Sequence, residues 1–159
     1  TGGVRRIGDR AFAQTPMERI VLPASVALLG SGAFEFSSMG GIYFEGDAPE
    51  VSGDIADPDS SAIVYYLPGM NGWGATLGGR PTAPWFPRIQ SDHFGATTTG
   101  FEFNVDWARG RTVVLEGCGS LTAPVWTPLA TNTLADGIGR MVDPAWTNHA
   151  ARYYRLCEL

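Results

Sequence analysis

Val4-Arg-Arg-Ile-Gly-Asp-Arg-Ala-Phe-Ala-Gln-Thr-Pro-Met-Glu-Arg-Ile-Val-Leu22 is answered in the same register by Val26 to Phe44. Val4, Ile7, Gly8, Ala11, Phe12, Met17, Ile20 and Leu22 are matched 22 residues later by Val26, Leu29, Gly30, Ala33, Phe34, Met39, Ile42 and Phe44. Apolar residues recurring at fixed offsets with a period in the twenties are the mark of a solenoid, whose units bury their hydrophobic sides against one another. A third turn continues through Val51, Ile55, Val64 and Tyr66, while Gly30 gives way to Ser52 and Phe34 to Ala56. A period that persists while its signature decays predicts a terminal, capping repeat.

Within each unit the residues dictate a corner and a strand. Asp9 stands where a helix N-cap would, and Arg10 to Gln14 predict one helical turn that lays Ala11 and Phe12 on the core. Glu18 to Leu22 alternates, with Ile20 and Leu22 inward and Arg19 and Val21 outward, until Pro23 stops it. Three such strands pairing in parallel make residues 22 apart lateral neighbours. The outward ladder is then Val21, Tyr43 and Tyr65, flanked by Arg19, Gly41 and Ile63. Arg19, Val21, Tyr43, Ile63 and Tyr65 form the candidate binding strip, because contiguous exposed apolar surface marks interaction sites. The alternative is that tyrosines simply suit strands and are covered by the C-terminal module.

The corner and strand also carry a resemblance. The run I-G-D-R-A-F-A-Q-T-P-M-E-R-I-V-L-P-A-S-V, repeated as L-G-S-G-A-F-E-F-S-S-M-G-G-I-Y-F, resembles the BspA-type bacterial leucine-rich repeats. The exit V-Y-Y-L-P-G-M-N-G-W-G-A-T-L-G-G-R-P-T-A-P-W, residues 64–85, is similar to the usual end of such arrays, so the likeness spans about residues 3 to 86. Gln14 and Phe36 stand where that family commonly has Gly, and Met17 and Met39 where it commonly has Leu. The resemblance implies a leucine-rich-repeat solenoid, an exported or surface-attached bacterial protein, and in some members adhesion to host or neighbour-cell proteins. It implies no chemistry and no particular partner. The chain is expected to start inside the array, with an uncapped edge near Val4 and Ile7, as a piece of a longer protein.

Pro68 to Arg88 is rich in Gly and Pro but contains Trp73, Trp85 and Phe86, which a plain linker lacks. Trp73 and Trp85 are read as a lid on the solenoid's open end, with Pro81, Pro84 and Pro87 stiffening the exit. From residue 89 the period is gone. Phe101, Phe103, Val105 and Trp107 alternate with Glu102, Asn104 and Asp106, a strand with one buried face. Residues 112–116, 125–131, 139–142 and 152–157 supply further short apolar runs, predicting a small antiparallel sandwich or barrel. The tail segments T-V-V-L-E-G-C-G-S-L, V-W-T-P-L-A-T-N-T-L and A-R-Y-Y-R-L resemble C-terminal β modules that follow repeats in exported bacterial proteins. The expected domains are 1–88, the solenoid end with its cap, and 89–159, the all-β module.

Composition bounds the function. Net charge is −5 with a pI near 4.9, and all eleven basic residues are Arg. An acidic chain with no basic stripe argues against nucleic acid as partner. No run approaches the roughly 18 apolar residues of a membrane span. Glu45, Asp47, Glu50, Asp54, Asp57 and Asp59 fall in one acidic segment, but D-I-A-D-P-D lacks the alternating ligand pattern of a calcium loop and is read as a solvated turn. Ser91, Asp92 and His93 are consecutive, so in an extended segment they point to opposite faces and do not assemble a triad. Asp143 is read as an ion pair with Arg152 and Arg155 that fastens the last strand. Cys118 and Cys157 either form a disulfide closing a loop of about 40 residues, worth about 4 kcal/mol, or stay as two reduced thiols. No metal or cofactor is implied. The reading is a non-enzymatic protein-binding or adhesion fragment with an unknown protein or glycan ligand. Its rivals are a carbohydrate-binding module using Trp107, Trp126 or Trp146, and a structural stalk or sorting tail.

Overall fold

The computed structural model describes residues 3–159, the side chains of residues 91–93 excepted. The chain divides into two compact units, Thr1–Trp85 and Phe86–Leu159. No helix among the described residues is long and apolar enough to cross a membrane.

In the first unit the repeat becomes two parallel sheets. β1 (Arg6–Ile7), β3 (Leu28–Leu29) and β5 (Glu50–Val51) form one, in that order. β2 (Arg19–Leu22), β4 (Gly41–Phe44) and β6 (Ile63–Tyr66) lead the other, which continues through β8 (Arg80–Pro84) to β7 (Thr76–Leu77). Ile20 pairs with Ile42 and Ile42 with Val64, so lateral neighbours are 22 residues apart, as the sequence period predicts. The shared interior is apolar. Leu29, Ala33, Ile42, Ile55, Ala62 and Val64 are fully buried, and the Phe12 and Phe34 rings stack at 5.7 Å.

The one-turn helix expected at Arg10 to Gln14 is replaced by turns. Arg10 (φ 53°) and Gln14 (φ 56°) adopt the left-handed conformation, which ends any right-handed helical run. The amides of Phe12 and Gln14 donate to the carbonyls of Ala33 and Glu35 on the next coil, at 2.8 Å each. Asp9 likewise accepts from the Ser31 amide at 3.0 Å instead of capping its own corner. Hydrogen bonds between coils have taken the place of bonds within a helix. The third coil departs further: Val51 keeps its register with Leu29 but lies on the surface.

The stretch read as a lid contains strands of its own. β8 pairs in parallel with β6 through Val64 and Thr82, an offset of 18, and closes a hairpin with β7. Trp73 stacks on Tyr66 at 4.9 Å and meets the edge of Phe44 at 5.1 Å, against the core. Arg80 is buried, and its guanidinium donates to the carbonyls of Ser60 and Pro58, holding the end of the acidic segment.

The second unit is antiparallel. β9 (Arg88–Ala96), β10 (Phe101–Asp106) and β13 (Ile138–Asp143) form one sheet with β10 central. β12 (Thr127–Thr133), β11 (Thr112–Cys118) and β14 (Tyr153–Glu158) form another with β11 central. Side chains of the two sheets meet where Phe103 of β10 touches Tyr154 of β14, at 4.7 Å between rings. Val105, Val113, Leu115 and Leu134 are fully buried beside them. The strand pattern read at residues 101–107 and 112–116 matches β10 and β11. β9 carried no clear apolar alternation, and its pairing comes from β10.

The two cysteines are free thiols, which removes the disulfide alternative. Cys118 lies opposite Tyr153 and Cys157 opposite Val114, four rungs apart along one strand pair. At about 3.3 Å per residue the separation is roughly 13 Å, well beyond the ~7 Å that a disulfide spans.

Candidate functional site: an aromatic ladder on the outer sheet face

Alternation along β2, β4, β6 and β8 puts Arg19, Val21, Gly41, Tyr43, Ile63, Tyr65 and Ala83 on the face opposite the core. The register aligns Val21, Tyr43, Tyr65 and Ala83 in one row. The Tyr43 and Tyr65 rings stack at 4.7 Å with planes 12° apart. The edge of Trp85 meets Tyr43 at 4.8 Å, and the Arg19 guanidinium lies 4.3 Å above the Tyr43 ring. Each such contact is worth about 1 kcal/mol.

The strip read as solvent-facing is therefore partly covered, and Tyr43 is its buried centre, with 7% of its surface exposed. Gly41 is the reason the ring can lie flat. A Cβ at that position would come within 2.6 Å of Tyr43, so only glycine admits the folded-back ring. What the ladder offers solvent is Arg19, Val21 (42% exposed) and the half-buried Ile63 and Tyr65. Trp85, taken from sequence as part of an end lid, belongs to this face as the group that covers Tyr43. The glycine two positions before Tyr43 on the same face is the sequence signal for that packing.

The three tryptophans of the carbohydrate reading are dispersed. Trp107 is buried, Trp126 lies half-buried under Arg155 at 4.6 Å, and Trp146 meets the edge of Phe101 at 5.6 Å. Among the described residues no ring contact joins two of them.

The acidic segment is tied into the solenoid. Asp57 accepts from the Phe36 amide, and Asp47 accepts from the backbone and side chain of Asn71. Among the described residues no group of three or more His, Cys, Asp or Glu side chains is placed to hold a metal. Ser91, Asp92 and His93 lie in β9, and their side chains fall outside the described residues.

In the second unit Asp143 is almost fully buried and satisfied. It accepts from the Ala145 amide at 3.0 Å, Arg152 Nε at 3.0 Å and the Tyr154 hydroxyl at 3.2 Å. Burial, then the neighbouring Asp143 charge, push the Tyr154 hydroxyl up to about 12. Arg155, expected to share Asp143, pairs instead with Glu116 across the β11–β14 rung. Arg155 foremost, then Cys157, hold the Glu116 carboxyl below its ordinary range. Hydrogen bonds from Arg140, Thr97 and Thr99 pull Glu102 down to about 2. These groups fasten strands to one another.

No family model, no curated protein and no solved structure matches this chain significantly.

Proposed function

We propose that the chain belongs to an exported or cell-surface leucine-rich-repeat protein of the BspA type, acting without enzymatic activity in protein binding or adhesion. The observation that carries the reading is the locked ladder of Arg19, Tyr43, Tyr65 and Trp85 on the outer face of a parallel repeat sheet. Arginine and aromatic residues dominate binding hot spots. Side chains already held by stacking and cation–π contact lose less conformational freedom when a partner arrives. Tyr43 then serves as the floor, and Arg19, Val21, Ile63 and Tyr65 as the contact surface.

The test is an array of secreted and surface proteins and of glycans, probed with wild type, Val21→Glu, Tyr65→Ala and, as a control in the second unit, Tyr153→Ala. Protein ligands held by wild type and by the control, but bound about 30-fold more weakly by Val21→Glu and Tyr65→Ala with unchanged folding, support the proposal; that loss corresponds to about 2 kcal/mol. Equal binding by wild type and all three variants ends it, and selective glycan binding transfers it to the carbohydrate reading.

A further inference from the structure

Met70 to Trp73 is held by the stacking of Trp73 at one end and, at Asn71, by hydrogen bonds to Asp47 and Ala48. The Ala48 amide donates to the Asn71 carbonyl at 2.9 Å, and the Asn71 amide donates to Asp47 Oδ1 at 2.7 Å. Asn71 Nδ2 donates to the same carboxylate oxygen at 3.3 Å, and the Trp73 indole donates to the Gly46 carbonyl at 3.2 Å. Gly72 makes the turn between them at φ 81°, and a Cβ there would stand 3.3 Å from the Ala48 methyl. Turn and close approach both call for glycine.

The same glycine opens a chemical route. Asn71 and Gly72 are exposed, and among the described residues the Gly72 amide donates to no acceptor. Without a side chain on residue 72, the Gly72 nitrogen has open access to Asn71 Cγ. A new Cγ–N bond forms and the Cγ–Nδ2 bond breaks. The amide proton leaves with the amine as ammonia, and a five-membered succinimide remains. Water then opens the ring at either carbonyl, giving aspartate or isoaspartate. The balance is one water consumed and one ammonia released, with no change of oxidation state.

We propose that Asn71 is a site of spontaneous deamidation and that its conversion unfastens this segment from the third coil. In the aspartate product the donor facing Asp47 becomes a second carboxylate, so a hydrogen bond is exchanged for like-charge repulsion. In the isoaspartate product the main chain runs through Cβ, which displaces the groups that bond Ala48 and Asp47. The other asparagines are less disposed to react. Asn104, Asn132 and Asn148 are followed by Val105, Thr133 and His149, whose side chains shield the attacking nitrogen, and the first two lie in strands β10 and β12.

The protein is incubated in mildly alkaline buffer and its peptides are followed by mass spectrometry, with melting temperature measured in parallel. The expected result is an amide-to-acid mass gain at Asn71 ahead of the other three asparagines, accompanied by a melting temperature lower by about 4 °C. Asn71→Asp reproduces the fall, and Asp47→Asn added to it restores most of the loss by returning an amide–carboxylate pair. Asn71 remaining intact while another asparagine converts overturns the site. Full conversion with unchanged melting, or Asn71→Asp with no effect, overturns the unfastening. Should Asn71→Asp fail to fold, the aged wild-type protein supplies both readouts.

Discussion

The two units tie their strands together with different chemistry. Across Thr1–Trp85, the rungs are uncharged or carry one charge beside a neutral residue: Ile20, Ile42 and Val64 form one row, Tyr43 and Tyr65 stand in another, and Arg19 lies beside Gly41. Across Phe86–Leu159, opposite charges meet between strands: ion pairs join Arg88 and Asp106, Arg140 and Glu102, Arg155 and Glu116, and Arg111 and Glu158. The contrast follows from topology. A parallel repeat in register sets each residue beside its own copy, so a charge kept through the repeat would lie beside the same charge. Antiparallel pairing juxtaposes unrelated positions, where opposite charges can meet. Between Val4 and Trp85 two charges of one sign fall 22 residues apart once, at Glu35 and Asp57. That rung is relieved from both sides: Arg10 pairs with Glu35 at 2.8 Å, and the Phe36 amide donates to Asp57.

Removing an apolar rung strikes the first unit hardest. Phe34 is 1% exposed and stacked on Phe12, so Phe34→Ala is expected to lower the free energy of unfolding by about 4 kcal/mol in urea titrations. The loss should be the same in low and high salt, because no charge is involved. A loss under about 1 kcal/mol would mean that the coil collapses around the gap, and the contrast with the charged unit would weaken.

Acid sharpens the comparison from the other side. Glu102 is held near 2 against an ordinary 4.5. A carboxylate whose folded value is depressed contributes stability that is complete above its unfolded value and is lost as pH falls toward the folded one. Hydrogen exchange in β10 and β13 should therefore accelerate as pH falls from about 4.5 toward 2, after correction for the intrinsic rate. Glu102→Gln should flatten that dependence and lower the protection at neutral pH. The pair is at the surface, so the effect is smaller than that of Phe34→Ala and shrinks with salt. An unchanged acid profile in Glu102→Gln would show that the pairing with Arg140 contributes nothing.

What could be read from sequence divides along the same line. The solenoid was legible because one rule fixes many positions: once Ile20 and Ile42 are matched, Val64 and the alternation of faces follow. β8 was not legible, since its offset from β6 is 18 and prolines 81 and 84 argue against a strand. Pro84 is tolerated for a specific reason. Trp85 donates to the Tyr66 carbonyl on β6, while Thr82 donates to Ala75 on the other side, so alternation turns the Pro84 nitrogen away from β6, beyond the two residues of β7. The outward row of the candidate site was legible, but its exposure was not. Whether Tyr43 stands up or lies over Gly41 depends on Trp85, 42 positions away and outside the period.

The corner supplies the finest test of what the repeat demands. Gln14 and Phe36 stand one period apart, and both are left-handed, at φ 56° and 52°. A side chain in that conformation costs about 1 kcal/mol or more relative to glycine, against the ~0.5–1 kcal/mol of extra chain entropy that glycine loses on folding. The Phe36 ring is 66% exposed, so little burial is forfeited when it is removed. Phe36→Gly is therefore expected to raise stability by about 0.5 kcal/mol, visible as a higher urea midpoint at constant slope. Gly32→Ala is the opposite case, since φ is 62° and the added Cβ would stand 3.1 Å from Glu35 Oε2; it should cost about 1 kcal/mol. The third coil presents Pro58 at the next position of the Gln14–Phe36 row, and proline's fixed negative φ forbids the left-handed corner there. If Phe36→Gly is instead destabilising, the ring must contribute contacts that outweigh its backbone strain, and the corner of the second coil would have to be treated as a packed surface in its own right.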